Sequence, residues 1–209
     1  MRVNRVVRTL ILSDFLINSG FSVFAPIFAV FVTRQIVDGS LQAIGFAAGL
    51  TQFFKVILQI PIAKYLDRNH GEYDDFISLL MGTILTTMVP FLYFFATNMI
   101  HIYFIQALYG ISLALAVPPW AAIFTRHIDK SQENIEWSLE SISIGISGAT
   151  AAALGGWYAQ HFGFHYLFLI GGVVAMGGAI VQLFVFSDLR AKVRRGQVKP
   201  EPNRIDIGA

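Results

Sequence analysis

Cysteine is absent from this chain of 209 residues, which excludes a disulfide framework and any thiolate metal site. Charge is scarce too: Asp, Glu, Lys and Arg make up 13% of the chain, against about 25% in an average soluble domain. No nucleotide-binding glycine loop, nucleophile elbow or paired metal-ligand motif occurs, so nothing points to an enzyme, a resident cofactor or a bound metal. The formal charge of +2 gives no case for nucleic-acid binding, because the basic residues gather in loops and tails.

What is plentiful is apolar. Hydrophobic residues make up 55% of the chain and the mean hydropathy is +0.61. Residues 59–75, QIPIAKYLDRNHGEYDD, form a dense charged run between two long apolar segments. A bilayer core of about 30 Å needs roughly twenty helical residues to cross, so this run reads as an aqueous loop between two transmembrane helices. On the same criterion, spans are predicted at about 9–32, 41–63, 76–96, 99–124, 137–158 and 164–186. Backbone polar groups in lipid must be satisfied internally, so each span is expected to be helical. The first apolar run is too long for a signal-peptide core and lacks a small-x-small cleavage site, so it reads as a retained helix. Residues 1–188 then form one six-helix domain, and 189–209 a flexible basic tail that at most touches anionic lipid.

Basic residues set the expected orientation. With the N-terminus inside, thirteen lie in inner segments (Arg2, Arg5, Arg8, Lys64, Arg68, Arg126, Lys130 and six in the tail), and only Arg34 lies in an outer loop. The positive-inside rule therefore places both termini in the cytoplasm of a multi-pass cell-membrane protein. Gly20, Ser22 and Pro26 in the first span are echoed by Gly110, Ser112 and Pro118 in the fourth, as an inverted three-plus-three repeat requires.

Polar side chains concentrate in the first, second, fourth and fifth spans. At 100° per residue Asp14, Asn18 and Ser22 share one face, Gln52, Lys55 and Gln59 another, and Gln106 and Tyr109 a third. Glu136, Glu140, Ser143, Ser147 and Thr150 form a stripe on the fifth span. Charged side chains at membrane depth cost about 2.5–3.5 kcal/mol on insertion scales and so usually face protein or a water-filled cavity. Asp14 and Lys55 lie at similar depth, which predicts an ion pair, serving either to lock two helices or to handle substrate or proton. Glu140 reads as a solvated rim residue or a coupling group. His101, His161 and His165 fall at the outer side, either as interfacial helix-end residues or as a metal or pH-sensing cluster. Small-residue spacings at Gly45/Gly49 and Gly148/Ala152/Gly156 allow close helix approach.

The pattern resembles one half of a major facilitator superfamily transporter. The loop after the second span is similar to the family signature Gly-x-Leu-Ala-Asp-Arg-x-Gly: Asp67 and Arg68 match, Gly71 matches after one extra residue, and Ala63 and Glu72 depart from it. QALYGIS in the fourth span resembles Arg-x-x-Gln-Gly-x-Gly, with Gly110 matching and Gln106 in place of the arginine of that motif's proton relay. The end of the fifth span resembles the antiporter motif, with Ala151-Ala152 where Gly-Pro is usual.

The resemblance implies that the first, second, fourth and fifth helices line a cavity while the third and sixth pack outside. It also implies a second half, which a homodimer would supply, giving a twelve-helix secondary transporter that moves a small solute by alternating access. Asp14, Asn18, Gln52, Lys55, Gln59, Gln106, Tyr109, Glu140, Ser143 and Ser147 would line the cavity, with a proton as a candidate coupling ion. Lys64, Asp67, Arg68 and Gly71 would dock against Glu133 and Glu136 of the other copy as a gate. The alternative is a membrane scaffold or accessory subunit that keeps the fold without transporting.

Overall fold

A computed structural model describes residues 3–69 and 72–194. Its helices are α1 (Arg5–Ser22), α2 (Phe28–Gln35), α3 (Leu41–Asn69), α4 (Glu72–Phe95), α5 (Met99–His127), α6 (Glu133–Phe162) and α7 (His165–Arg194). Among the described residues there is no strand, only an isolated bridge between Val37 and Asn98 that ties two loops. Gly71 and residues 195–209 lie outside the described residues.

α1 and α2 together make the first predicted span. Pro26 brings no N–H and a ring that crowds the preceding turn; the chain responds with a 3-10 turn at Ala25–Ile27 between the two helices. Pro61, Pro90 and the pair Pro118 and Pro119 are accommodated inside α3, α4 and α5. Six rods result, and five of them are long and apolar enough to cross a membrane. The sixth, α6, is long enough at 30 residues, but its serines, glycines and glutamates keep it too polar to meet that criterion. The last helix runs on to Arg194, beyond the predicted end of its span at 186.

Helix ends follow their sequences. The Asn4 side chain accepts from the Val6 N–H at 3.1 Å and donates to the His127 carbonyl at 2.8 Å, capping α1 and tying it to the end of α5. Asn98 caps α5 through the His101 N–H. α6 stops at Gly163, whose φ of 81° suits glycine.

Neighbours in space are not neighbours in sequence. α1 packs chiefly on α7 and α6, and α5 packs chiefly on α4 and α3, while α4 and α7 pack on each other. α1 and α5 touch at their crossing. Exchanging the first three rods with the last three maps this set of neighbours onto itself, as an inverted repeat requires. α3 and α6 are the flanks, each packed mainly on one rod. Their outer faces carry exposed Phe46, Phe53, Val56 and Ile60 on α3 and Ile142, Ile146 and Leu154 on α6.

Two apolar clusters hold the rods together. One, at the end of the α1–α2 break, gathers Phe24, Phe31, Val32, Tyr93, Ile102 and Phe168. The other, at the opposite end, gathers Val6, Val7, Leu10, Phe76, Leu79, Ile123, Phe124 and Val185. Between them, buried hydroxyls find acceptors: Ser13 donates to the Gly178 carbonyl at 3.0 Å and Thr86 to Ser112 at 2.8 Å. Lipid tails give little drive for apolar helices to associate, so close backbone approach through small residues carries the packing. Side chains at Gly20 or Gly171 would collide with the carbonyl of the other residue, and one at Gly110 with the Thr51 carbonyl. By contrast Gly45, Gly49 and Gly156 face open space, so these members of the predicted small-residue motifs do not pack within the chain.

Gly20→Val is expected to cost about 1–3 kcal/mol by overpacking the α1–α7 crossing, whereas Gly45→Val should be nearly silent. Thermal unfolding of both variants in mild detergent checks this; equal melting temperatures would contradict the packing described.

Candidate functional site

The longest polar seam runs between α1 and α6. Asn18 donates through its side-chain amide to the Ile144 carbonyl at 3.0 Å and to the Ser147 hydroxyl at 2.7 Å, and Ser147 in turn donates to the Ile144 carbonyl. Gly148 leaves room for Asn18 and Ser22 beside it. One turn toward the basic end, Asp14 meets Glu140: the two carboxyl groups interact directly, and both oxygens of Glu140 are buried without a closed hydrogen bond.

The expected Asp14–Lys55 ion pair is not formed. α1 packs on α6 and α7, not along α3, so the carboxylate of the first span turns to the fifth. Lys55 stays half-buried on α3 with no ion pair among the described residues. Glu140, read from sequence as a candidate rim residue, is 3% exposed.

A second polar contact joins α3 to α5, where the Thr51 hydroxyl reaches the Gln106 carbonyl at 2.9 Å and its side-chain oxygen. Tyr109 stacks on Phe21 of α1, with ring centroids 5.3 Å apart and planes 15° apart, at the crossing of the two central helices. Gln52 is exposed, and Gln59 and Ser143 are half-buried. The fold thus joins Asp14, Asn18, Glu140 and Ser147 in one seam and sets Gln106 and Tyr109 on the neighbouring helix. Gln52, Lys55 and Gln59 remain on the α3 flank.

The proposed gate residues divide. Lys64, Asp67, Arg68 and Glu133 are exposed, and Glu133 accepts from the Ser131 N–H at 3.2 Å. Glu136 is fully enclosed by its own chain, with Asp129 beside it and no hydrogen-bond partner for either oxygen.

Two contacts at the same end, one of them an ion pair, were not anticipated. Arg126 at the end of α5 pairs with Asp75 in the first turn of α4, and His127 stands 3.7 Å from Glu72. The signal was available: α4 opens with Glu72, Asp74 and Asp75, α5 closes with Arg126 and His127, and short-linked antiparallel helices bring those ends together. The three histidines expected at the outer side each stand at a helix end. His101 accepts from the Thr97 N–H, His161 contacts the Trp157 carbonyl at 2.8 Å, and His165 packs on Phe94. Among the described residues no group of three or more potential metal ligands converges.

These features, six rods with an inverted repeat and a polar seam between the first and fifth, agree with the outcome of comparison with known families. The Major Facilitator Superfamily model matches residues 10–206. The chain belongs to the major facilitator superfamily. It is a multi-pass membrane protein of transporter type, and its six rods correspond to one half of the family's helical body. No curated protein matches it.

Chemically, two neighbouring carboxyls repel when both are ionised, so a change at one is felt at the other. A double-mutant cycle of Asp14→Asn with Glu140→Gln should therefore show a stability coupling of about 0.5–3 kcal/mol. The cycle of Asp14→Asn with Lys55→Met should be additive within about 0.5 kcal/mol. Thermal unfolding of the three single and two double variants in detergent reads both, and coupling to Lys55 alone would reverse the assignment.

Proposed function

We propose that the chain is a secondary transporter which works as a homodimer, moving a small solute across the cell membrane by alternating access with a proton as coupling ion. The observation that carries this reading is the pair of unpartnered flanks. α3 and α6 each pack mainly on one rod, and their open faces bear apolar side chains and the glycines Gly45, Gly49 and Gly156. A second copy, related by an axis along the membrane normal, would cover both flanks and enclose the solute between two polar seams.

In this reading Asp14 and Glu140 hold the proton, while Asn18, Ser143, Ser147, Gln106 and Tyr109 orient the solute. Gln52, Lys55 and Gln59 line the cavity from the α3 flank. Access alternates as the two copies rock about the flanks. The basic end of the bundle faces the cytoplasm, as the distribution of Lys and Arg favours. There Lys64, Asp67 and Arg68 would meet Glu133 of the other copy; Glu136, being enclosed, supports the helix start from within. Exposed pairs contribute about 0–1 kcal/mol each, enough to bias a gate and too little to hold a dimer.

Single cysteines introduced into this cysteine-free chain test the arrangement. Gly49→Cys on α3 and Leu154→Cys on α6 are expected to cross-link two copies in membranes, and Val173→Cys on the exposed face of α7 is not. A strictly monomeric protein in nanodiscs, with no cross-link at either flank, would overturn the homodimer and favour an accessory subunit that pairs with a different chain.

A further inference from the structure

The packing of one chain leaves charges of opposite sign unmatched on its two sides. Lys55 on α3 has no acid to meet. α3 packs on α5, with smaller contacts to α2 and α4; α2 and α5 contain no acidic residue, and the acids of α4 stand in its first turn. On the other side Asp14 and Glu140 stand together, and among the described residues neither forms an ion pair with a base. Glu140 is enclosed with both oxygens short of a hydrogen bond, whereas Asp14 keeps part of its surface open. The two sites lie at similar depth. Phe21 stacks on Tyr109, and Gly110 next to it meets the Thr51 carbonyl, so Phe21, Tyr109 and Thr51 share a layer. From that layer toward the basic end, Lys55 lies about 6 Å along α3 and Asp14 about 10 Å along α1, at about 1.5 Å per residue. The flexible four-carbon stem of a lysine spans that difference.

We propose that Lys55 of one copy pairs with Asp14 of the other, so that each polar seam is completed by the second copy and the ion pair forms twice. This rests on the homodimer proposed above. Rotation about an axis along the membrane normal leaves the depth of every residue unchanged, so the two charges still lie at one level when they belong to different copies. Two copies facing each other across that axis also set the left edge of one against the right edge of the other, which brings α3 beside α6. Lys55 sits on α3 next to the exposed Gln52, and Asp14 sits in the seam that α1 makes with α6. A charged side chain within a membrane span needs a partner or a water-filled cavity, and the second copy offers the opposite sign at the right depth. Within one chain the pair does not form, because α3 is not packed on α1. In single chains dispersed in detergent the Asp14–Lys55 cycle therefore stays additive, and coupling arises only where two copies meet.

Two differently tagged full-length copies, co-expressed in one membrane, test the pair by retrieval of one tag through the other. K55D meeting a second K55D gathers three acids at each contact, whereas D14K on the second copy turns the meeting into one of opposite charge. K55D should therefore retrieve D14K about tenfold better than it retrieves itself, since like charges brought together reject a partner. The natural chain, which keeps one of the two contacts intact, should fall between. Equal retrieval of all three overturns the pair. If K55D does not accumulate, K55C in one copy and D14C in the other read the same contact without charge: a bifunctional thiol reagent should give a product carrying both tags. Cross-links at the flanks through Gly49→Cys and Leu154→Cys without a K55C–D14C product overturn the pair and leave the homodimer standing. Absence of both removes the homodimer and the pair with it.

Discussion

The glycine-to-glycine crossing of α1 and α7 at Gly20 and Gly171 fixes where α1 stands, and α1 is the rod on which the polar seam depends. In lipid, burying one more leucine gains little, because the tails are as apolar as the side chain. Backbones must come close enough for dispersion contacts to accumulate along the helix, and only glycine permits that here. With one side of α1 committed to α7, its other side is left to α6. That side carries Asp14 and Asn18 and meets Glu140 and Ser147. The same logic recurs where Gly110 lets α5 approach Thr51 of α3.

Buried polar groups in the bundle fall into two kinds. Hydroxyls such as Ser13, Thr86 and Thr87 donate to helix carbonyls or to one another, so their burial is satisfied locally and they add rigidity. Carboxyls have no such remedy, because the helix backbone inside a membrane has no N–H to spare. Glu140 has both oxygens enclosed without a closed hydrogen bond, and Asp14 is what it faces. A group left so poorly satisfied is where protonation, or the arrival of a ligand, changes the energy most. This is the physical ground on which the proposed transport chemistry is assigned to that point rather than to the hydroxyls.

Much of this was legible in the sequence. Runs of about twenty apolar residues gave the number of rods and the Gly-Ser-Pro echo gave the repeat. The charged segment at 59–75, read as an aqueous loop, is instead mostly helix: α3 carries on to Asn69 and α4 starts at Glu72, since a charged segment can extend a helix beyond the membrane as readily as end it. The polar faces of α1 and α6 were also readable, since helical periodicity alone puts Asp14 with Asn18 and Glu140 with Ser147. Which faces meet was not. Periodicity carries no information about which rod lies beside which, so opposite charges at equal depth suggested Asp14 with Lys55, while packing set Asp14 against another acid. The break at residues 23–27 was foreshadowed by Pro26, yet Pro118 in the corresponding rod leaves α5 continuous. A proline thus marks a place where a helix can break, and the surrounding contacts decide whether it does.

The order of neighbours bears on how the molecule is made. α3, α4 and α5 emerge in succession, and α5 can settle against both of the others as soon as it enters the bilayer. α1 is synthesised first, but its partners α6 and α7 are synthesised last. Until they arrive, Asp14 sits in a helix without the surface it will pack on, and a carboxylate within a membrane span is costly to leave facing lipid. The early helix therefore stands without its two main partners while three further rods, α3, α4 and α5, are threaded. A chain that stops before α6 leaves its first helix with only the crossing contact to α5, and without the surface on which its polar face closes.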